Sequence, residues 1–270
     1  MIYERISLDE SNPNVYLDVY AADPVGDFKR NALLVLPGGG YKEICADREG
    51  EPVAMAFMPY GYNAFVLHYS VDGEKFPTQL IQASKAVKYI KDHAEKYHIQ
   101  KENLFAVGFS AGGHLAASLG TMWHKPEIYA ALEMPYGYNK PKGVMLIYPC
   151  ITAFDADATG TCINTLLGKE TTTEAERSFC CIEKNVDERS VPAFIVHTAT
   201  DEIVSVKHSL LLAEAYTDCK IPYEMHIYPD APHGVSIGNR ITECGCRKYN
   251  NPHIAKWVGE AAEWAEMLNA

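Results

Sequence analysis

The sequence predicts an α/β protein with a mostly parallel central sheet and helices on both of its faces. Three observations carry that prediction. Short apolar runs alternate with longer segments of helical periodicity. Several of the runs have no polar face, as expected of parallel strands covered on both sides. The residues best suited to chemistry follow such runs directly, at the strand ends where α/β sheets gather their sites.

In chain order, strands are expected at 15–20, 32–36, 64–69, 104–108, 143–148, 193–198 and 224–228. The first alternates apolar and polar residues, whereas ALLVL at 32–36, VMLIY at 144–148 and AFIVH at 193–197 are nearly continuous apolar runs. Helices are expected at 49–58, 77–96, 111–120, 206–219 and 252–269. Within 77–96, Leu80, Ala83, Val87 and Ile90 recur at spacings of three and four while Lys85, Lys88, Lys91 and Asp92 fall on other faces. Pro77 suits a first helical turn. The last helix collects Ile254, Trp257, Val258, Ala261, Trp264, Ala265 and Leu268 on one side, so its tryptophans read as core. From 149 to 190 the chain is polar and rich in small residues, an excursion from the sheet rather than a second domain. A single domain over 1–270 is expected.

Composition narrows the function. The chain has 270 residues, 24 Lys+Arg, 35 Asp+Glu and a formal charge of −11, which excludes the basic footprint that nucleic-acid binding rests on. No run approaches the roughly 18 apolar residues of a membrane span. The first ten residues hold no apolar signal core, so neither a membrane nor a secretory route is expected and the cytoplasm is. The eight cysteines, at 45, 150, 162, 180, 181, 219, 244 and 246, are too dilute for a disulfide scaffold and lack zinc-site spacing. Reduced thiols and no metal are expected.

The sharpest motif is GFSAGG at 108–113, placed between an expected strand and an expected helix. A serine at such a turn stands exposed above the sheet, and glycines two before and two after it permit the strained backbone. Ser110 is therefore the candidate nucleophile, and it requires a base. Among ten histidines, His233 lies in PDAPHG at 229–234, just past the last strand. His68 and His197 fall in strands, His93 and His208 on helices, and His114 in the helix beneath the serine. Asp201 follows the strand 193–198 and is the candidate carboxylate that orients His233, with Glu202 and Asp230 as competitors. PGGGY at 37–41 could be a loose loop, but it could equally turn N–H groups toward a substrate oxygen. Gly39, Gly40 and Ala111 are the candidate oxyanion-hole donors. A phosphate cradle is excluded, because neither a Gly-Lys-Ser/Thr ending nor GxGxxG occurs.

Taken together, LPGGGY at 36–41, GFSAGGHLA at 108–116, PAFIVHTATD at 192–201 and YPDAPHG at 228–234 resemble the α/β-hydrolase esterases, in particular the acetyl-esterase or acetylxylan-esterase-like branch near the hormone-sensitive-lipase-like group. The order Ser110, Asp201, His233 is the order of that fold. The resemblance implies the α/β-hydrolase fold and a serine esterase acting without a cofactor on short acyl esters, with acetyl groups on carbohydrates as the substrate class. Two positions depart from the lipase-like relatives. Pro37 stands where they carry His, and Gln82 stands where they carry Asp, a change expected to alter a structural hydrogen bond rather than the chemistry. No long N-terminal cap is present, so access to Ser110 is expected to be governed by the 149–190 excursion.

Other readings stay open. The same three side chains would serve an arylformamidase or a small peptidase, for which Glu43 or Glu133 could anchor an amine. A non-catalytic hydrolase-like binding module is a third class. The expected partner is a small-molecule or oligosaccharide ester, with Tyr41 the candidate substrate-binding residue and Tyr60, Tyr136 and Tyr138 further rings able to stack on sugars.

Overall fold

A computed structural model describes residues 1–71, 73–154 and 160–269, with side chains from 162 onward in the last segment; residues 155–159 of the expected excursion lie outside that description. Its strands are β1 (Ile2–Ser7), β2 (Tyr16–Ala21), β3 (Arg30–Leu36), β4 (Tyr62–His68), β5 (Ile99–Phe109), β6 (Gly143–Ile147), β7 (Ala193–Thr198) and β8 (Tyr223–Tyr228). They form one sheet in the order β1-β2-β4-β3-β5-β6-β7-β8. The hairpin β1–β2 and the β2–β4 pair are antiparallel, and every pairing from β4 to β8 is parallel. This is the α/β-hydrolase arrangement. Each expected strand is present within a few residues of its expected bounds. The exception is β1, for which no strand was expected. It is an edge strand with alternating partial exposure, and such strands lack the apolar run that marks a buried one.

The helices are α1 (Ala46–Glu49), α2 (Glu51–Phe57), α3 (Thr78–Asp92), α4 (Ala111–Met122), α5 (Pro126–Tyr129), α6 (Gly160–Leu167), α7 (Glu174–Cys180), α8 (Lys207–Asp218) and α9 (Trp257–Asn269). The helix expected at 49–58 begins earlier and is broken at Gly50 (φ −109°, ψ −98°). That at 77–96 ends at Asp92, with Pro77 just outside its first turn. Side chains of β3 explain the continuous apolar strands. Ala32, Leu34 and Leu36 belong to the core on the α3 and α4 side of the sheet, while Leu33 and Val35 belong to the core on the α2 side, which α9 shares. Both faces are thus sealed, and each fully buried large aliphatic side chain contributes roughly 1.5–3 kcal/mol relative to exposure. Trp257 and Trp264 belong to the α9 face of the core. Helices α6 and α7 lie inside the excursion, and α7 opens on a capping box in which Thr173 and Glu176 satisfy each other's backbone N–H groups. No described helix is long and apolar enough to cross a membrane.

Candidate active site

Four loops leave the carboxyl ends of β3, β5, β7 and β8 and converge over the sheet. Ser110 ends β5 with φ 52° and ψ −115°, a conformation that side chains rarely adopt. Its N–H donates to Ile147 O at 3.0 Å, and its carbonyl accepts from the N–H groups of His114 and Cys150, both at 3.1 Å. The turn is held by close backbone approach. A Cβ on Gly108 would lie 2.1 Å from Gly112 O, and one on Gly112 would lie 2.1 Å from Leu36 O. The motif therefore needs glycine at both positions for reasons of space, and Ser110 projects from the N-terminus of α4.

His233 Nε2 is 2.8 Å from Ser110 Oγ, and His233 Nδ1 is 2.7 Å from Asp201 Oδ2. Asp201 Oδ1 accepts from the N–H groups of Ile203 and Val204, both at 2.9 Å. Burial alone would raise the Asp201 carboxyl, but hydrogen bonds from the neighbouring histidines and from Val204 N–H outweigh it and hold the carboxyl well below the usual carboxylate range. With Asp201 ionised and accepting at Nδ1–H, the neutral imidazole presents Nε2 as an acceptor to the serine hydroxyl. The loops are tied together by Thr198 Oγ1, which donates to Ala231 O at 2.9 Å. The competitors stand apart: Glu202 is exposed, and Asp230 accepts from Thr200. His197 is core, linked to Ser209 Oγ (2.7 Å) and Val204 O (2.9 Å). His114 is buried between Tyr41 and Cys180 O, both at 2.8 Å.

Gly39 (φ 128°) and Gly40 (φ 64°) line the same cleft as Ser110 and His233. Among the described residues their N–H groups and that of Ala111, the first of α4, donate to no protein acceptor. Tyr41 is placed differently from expectation. Its ring is 1% exposed, its hydroxyl meets His114, and it does not line the cleft. A left-handed backbone (φ 60°) turns the side chain inward under the glycine loop. Tyr60, Tyr136 and Tyr138 do not line the cleft either, and Glu43 and Glu133 are exposed outside it. Gln82 accepts from Ser70 N–H at 2.8 Å and donates to Ser70 Oγ at 2.7 Å.

The cleft, a cavity of about 300 Å³, contains residues that the sequence reading did not single out. Glu49 is 3% exposed; its Oε2 accepts from Gly38 N–H at 2.7 Å and its Oε1 from Tyr148 O–H at 2.8 Å. Tyr148 Oη in turn accepts from Ser236 N–H at 3.0 Å, and its ring lies 4.9 Å from that of His233. Burial raises the Glu49 carboxyl, while its two hydrogen bonds oppose the shift. One buried carboxylate thus links the glycine loop to the histidine loop. Cys150 and Cys162 form another wall. Their mutual hydrogen bond and burial keep the Cys162 thiol protonated, so this wall is small and uncharged. Arg48 and Tyr249 complete the side next to Gly234. No local sequence signal distinguishes Glu49 or Arg48 from surface residues of an amphipathic helix.

Comparison with known proteins places this geometry among relatives. Residues 17–216 match the BD-FAE family. The endo-1,4-beta-xylanase B of Butyrivibrio fibrisolvens is 38% identical over 227 residues, which are 79% of this chain and 34% of that protein. The chain spans about a third to two fifths of the length of the first curated relatives it matches. Among solved structures, the carboxylesterase Cest-2923 of Lactobacillus plantarum superposes with a TM-score of 0.86 at 26% identity, covering 100% of this chain and 98% of that one. An acetyl ester-xyloside bifunctional hydrolase of Caldicellulosiruptor lactoaceticus gives 0.83 at 27% identity, covering 98% and 96%.

Proposed function

The chain belongs to the BD-FAE family and has the α/β-hydrolase fold, and from that premise we propose that it is a serine carboxylesterase acting on short-chain acyl esters, acetyl groups on carbohydrates being the favoured class. The observation that carries the reading is the unbroken hydrogen-bonded line from Asp201 through His233 to Ser110, in a cleft also lined by glycines whose N–H groups have no partner among the described residues. In this reading His233 Nε2 takes the Ser110 proton as Oγ attacks the ester carbonyl. The tetrahedral oxyanion is held by the N–H groups of Gly39, Gly40 and Ala111, each such donor being worth roughly 3–4 kcal/mol in the transition state. His233 then gives the proton to the departing alcohol, and water releases the acyl group by the same steps in reverse order. Asp201 fixes the imidazole tautomer and stabilises the imidazolium. One domain over 1–270 performs this work, with the 149–190 excursion bounding the acyl side through Cys150 and Cys162.

The peptidase alternative is disfavoured by the cleft wall. Among the described residues the one carboxylate lining the cleft is Glu49, whose oxygens are already engaged, so the cleft itself offers an amine no free acid. Ser110→Ala is the deciding variant. Turnover of p-nitrophenyl acetate should vanish while the melting temperature stays near that of the native protein; substantial residual turnover by the folded variant would remove Ser110 from the nucleophile role. Covalent labelling of Ser110 by a fluorophosphonate separates an enzyme from a non-catalytic binding module.

A further inference from the structure

The leaving-group side of the cleft carries a cation that the proposed chemistry does not use. Since His233 Nε2 returns the proton to the departing oxygen, the alcohol lies along the wall beside His233 and Gly234. Arg48 forms that wall. A Cβ on Gly234 would stand 3.5 Å from Arg48 Nη1, and the guanidinium lies 5.8 Å from the Tyr249 ring centre. Its backbone is fixed to the histidine loop, because Arg48 O accepts from Ser236 Oγ at 2.6 Å. Among the described residues no carboxylate comes within ion-pair distance of this partly buried guanidinium. The guanidinium hydrogen-bonds the Cys45 thiol and feels the charge of neighbouring Glu49, whose oxygens are held by Gly38 and Tyr148.

A guanidinium that lines a cleft and makes no direct ion pair among the described residues has a chemical use when the substrate brings the anion. A guanidinium is the side chain best shaped for a carboxylate, which it can meet with two parallel N–H bonds. The chain as a whole is acidic, with a formal charge of −11, so its average field repels anions and selectivity for them needs a local cation. A second groove of about 610 Å³ continues from the cleft, sharing Ile203, His233 and Tyr249 with it, and is lined by Arg247 and Lys248 as well as by Glu202 and Asp230. The charges of that groove offset one another, and of the two cations lining the cleft Lys42 is exposed whereas Arg48 is partly buried beside Gly234. Cys150 and Cys162, which also line the cleft, offer an acyl group small, weakly polar contact.

We propose that Arg48 recognises a carboxylate on the alcohol moiety, and that the preferred esters are those of hydroxy-bearing acids, including acidic sugars, with a short acyl group. The proposal rests on the Ser110–His233 reading for its sense of which side the alcohol occupies. Its test compares 3-acetoxybenzoate with 3-acetoxybenzamide, each kcat/KM divided by the rate of hydroxide hydrolysis of the same ester. The native protein should prefer the carboxylate by roughly ten- to a hundredfold, the worth of one charge-assisted pair, and the preference should shrink as salt is raised. Arg48→Met should bring the ratio close to one, and Arg48→Lys should restore part of it. A native ratio of one or less overturns the proposal and needs no variant, so an unfolded Arg48→Met does not protect it. A ratio unaffected in folded Arg48→Met overturns it as well. Ser110→Ala separates the two claims: if it abolishes turnover of both esters while the native ratio is one, the nucleophile stands and the anion subsite falls.

Discussion

Replacing Glu49 by Gln tests whether one buried carboxylate holds the oxyanion loop and the histidine loop in register. The carboxylate accepts two hydrogen bonds, from Gly38 N–H (2.7 Å) and Tyr148 O–H (2.8 Å), and Tyr148 passes the link to Ser236 N–H (3.0 Å). Glutamine has the same shape but one acceptor oxygen, so its NH₂ group must face one of the two donors. One bond to a charged acceptor is lost, worth about 1.5–3 kcal/mol. If that loss appears in the transition state, kcat/KM falls roughly ten- to a hundredfold, at about 1.4 kcal/mol per decade. The assay is steady-state hydrolysis of p-nitrophenyl acetate with kcat and KM separated, beside a thermal melt. A displaced Gly39–Gly40 loop should lower kcat more than it raises KM, because the oxyanion exists only in the transition state. Unchanged kcat in a variant whose melting point alone has dropped would reduce Glu49 to a packing residue and refute the reasoning.

Three further outcomes are expected. His114, fully buried with Nε2–H donating to Cys180 O, is pushed down by burial from 6.5 to about 4. A folded pKa below the unfolded one means stability that is present above pH 6.5 and is lost as pH falls toward 4, about 3 kcal/mol in all. Urea unfolding from pH 7 to 4 should show that loss in the native protein and a shallower one in His114→Gln; parallel curves would dismiss His114 as its source. The cavity of about 300 Å³ with a thiol wall should accept acetate and butyrate but not octanoate p-nitrophenyl esters, and equal kcat/KM across the series would contradict the short acyl side. Gly112→Ala places a methyl 2.1 Å from Leu36 O and should destabilise by about 3 kcal/mol or more, read as a lowered urea midpoint; a native midpoint would show that the turn can yield.

Most of the sheet was legible because its strands are covered on both faces, which turns burial into continuous apolar runs such as 32–36 and 193–197. The same rule hid β1, whose outer edge meets solvent and whose side chains alternate in exposure. Helix α7 carried a readable signal in Thr173 and Glu176, three apart as a capping box requires, although the polar composition of 149–190 suggested only an excursion. At the site, Ser110, Asp201 and His233 were recognisable by residue type and by position after a strand, and the fold brings them within hydrogen-bond distance. Tyr41 follows the glycines directly and has a ring able to stack on sugars, but its positive φ, invisible in composition, sends the ring into the core.

By itself the sequence determined the fold class and the loops that supply the site, since hydrophobic period and turn glycines are local properties that act residue by residue. Tertiary structure alone decided what surrounds those loops. Tyr148 reaches Glu49 across 99 positions, and Ser236 reaches Arg48 across 188. Which groups a buried carboxylate or a guanidinium meets depends on which distant parts of the chain arrive beside it. That arrival follows from packing two covered faces around one sheet, and no short segment of the chain encodes it.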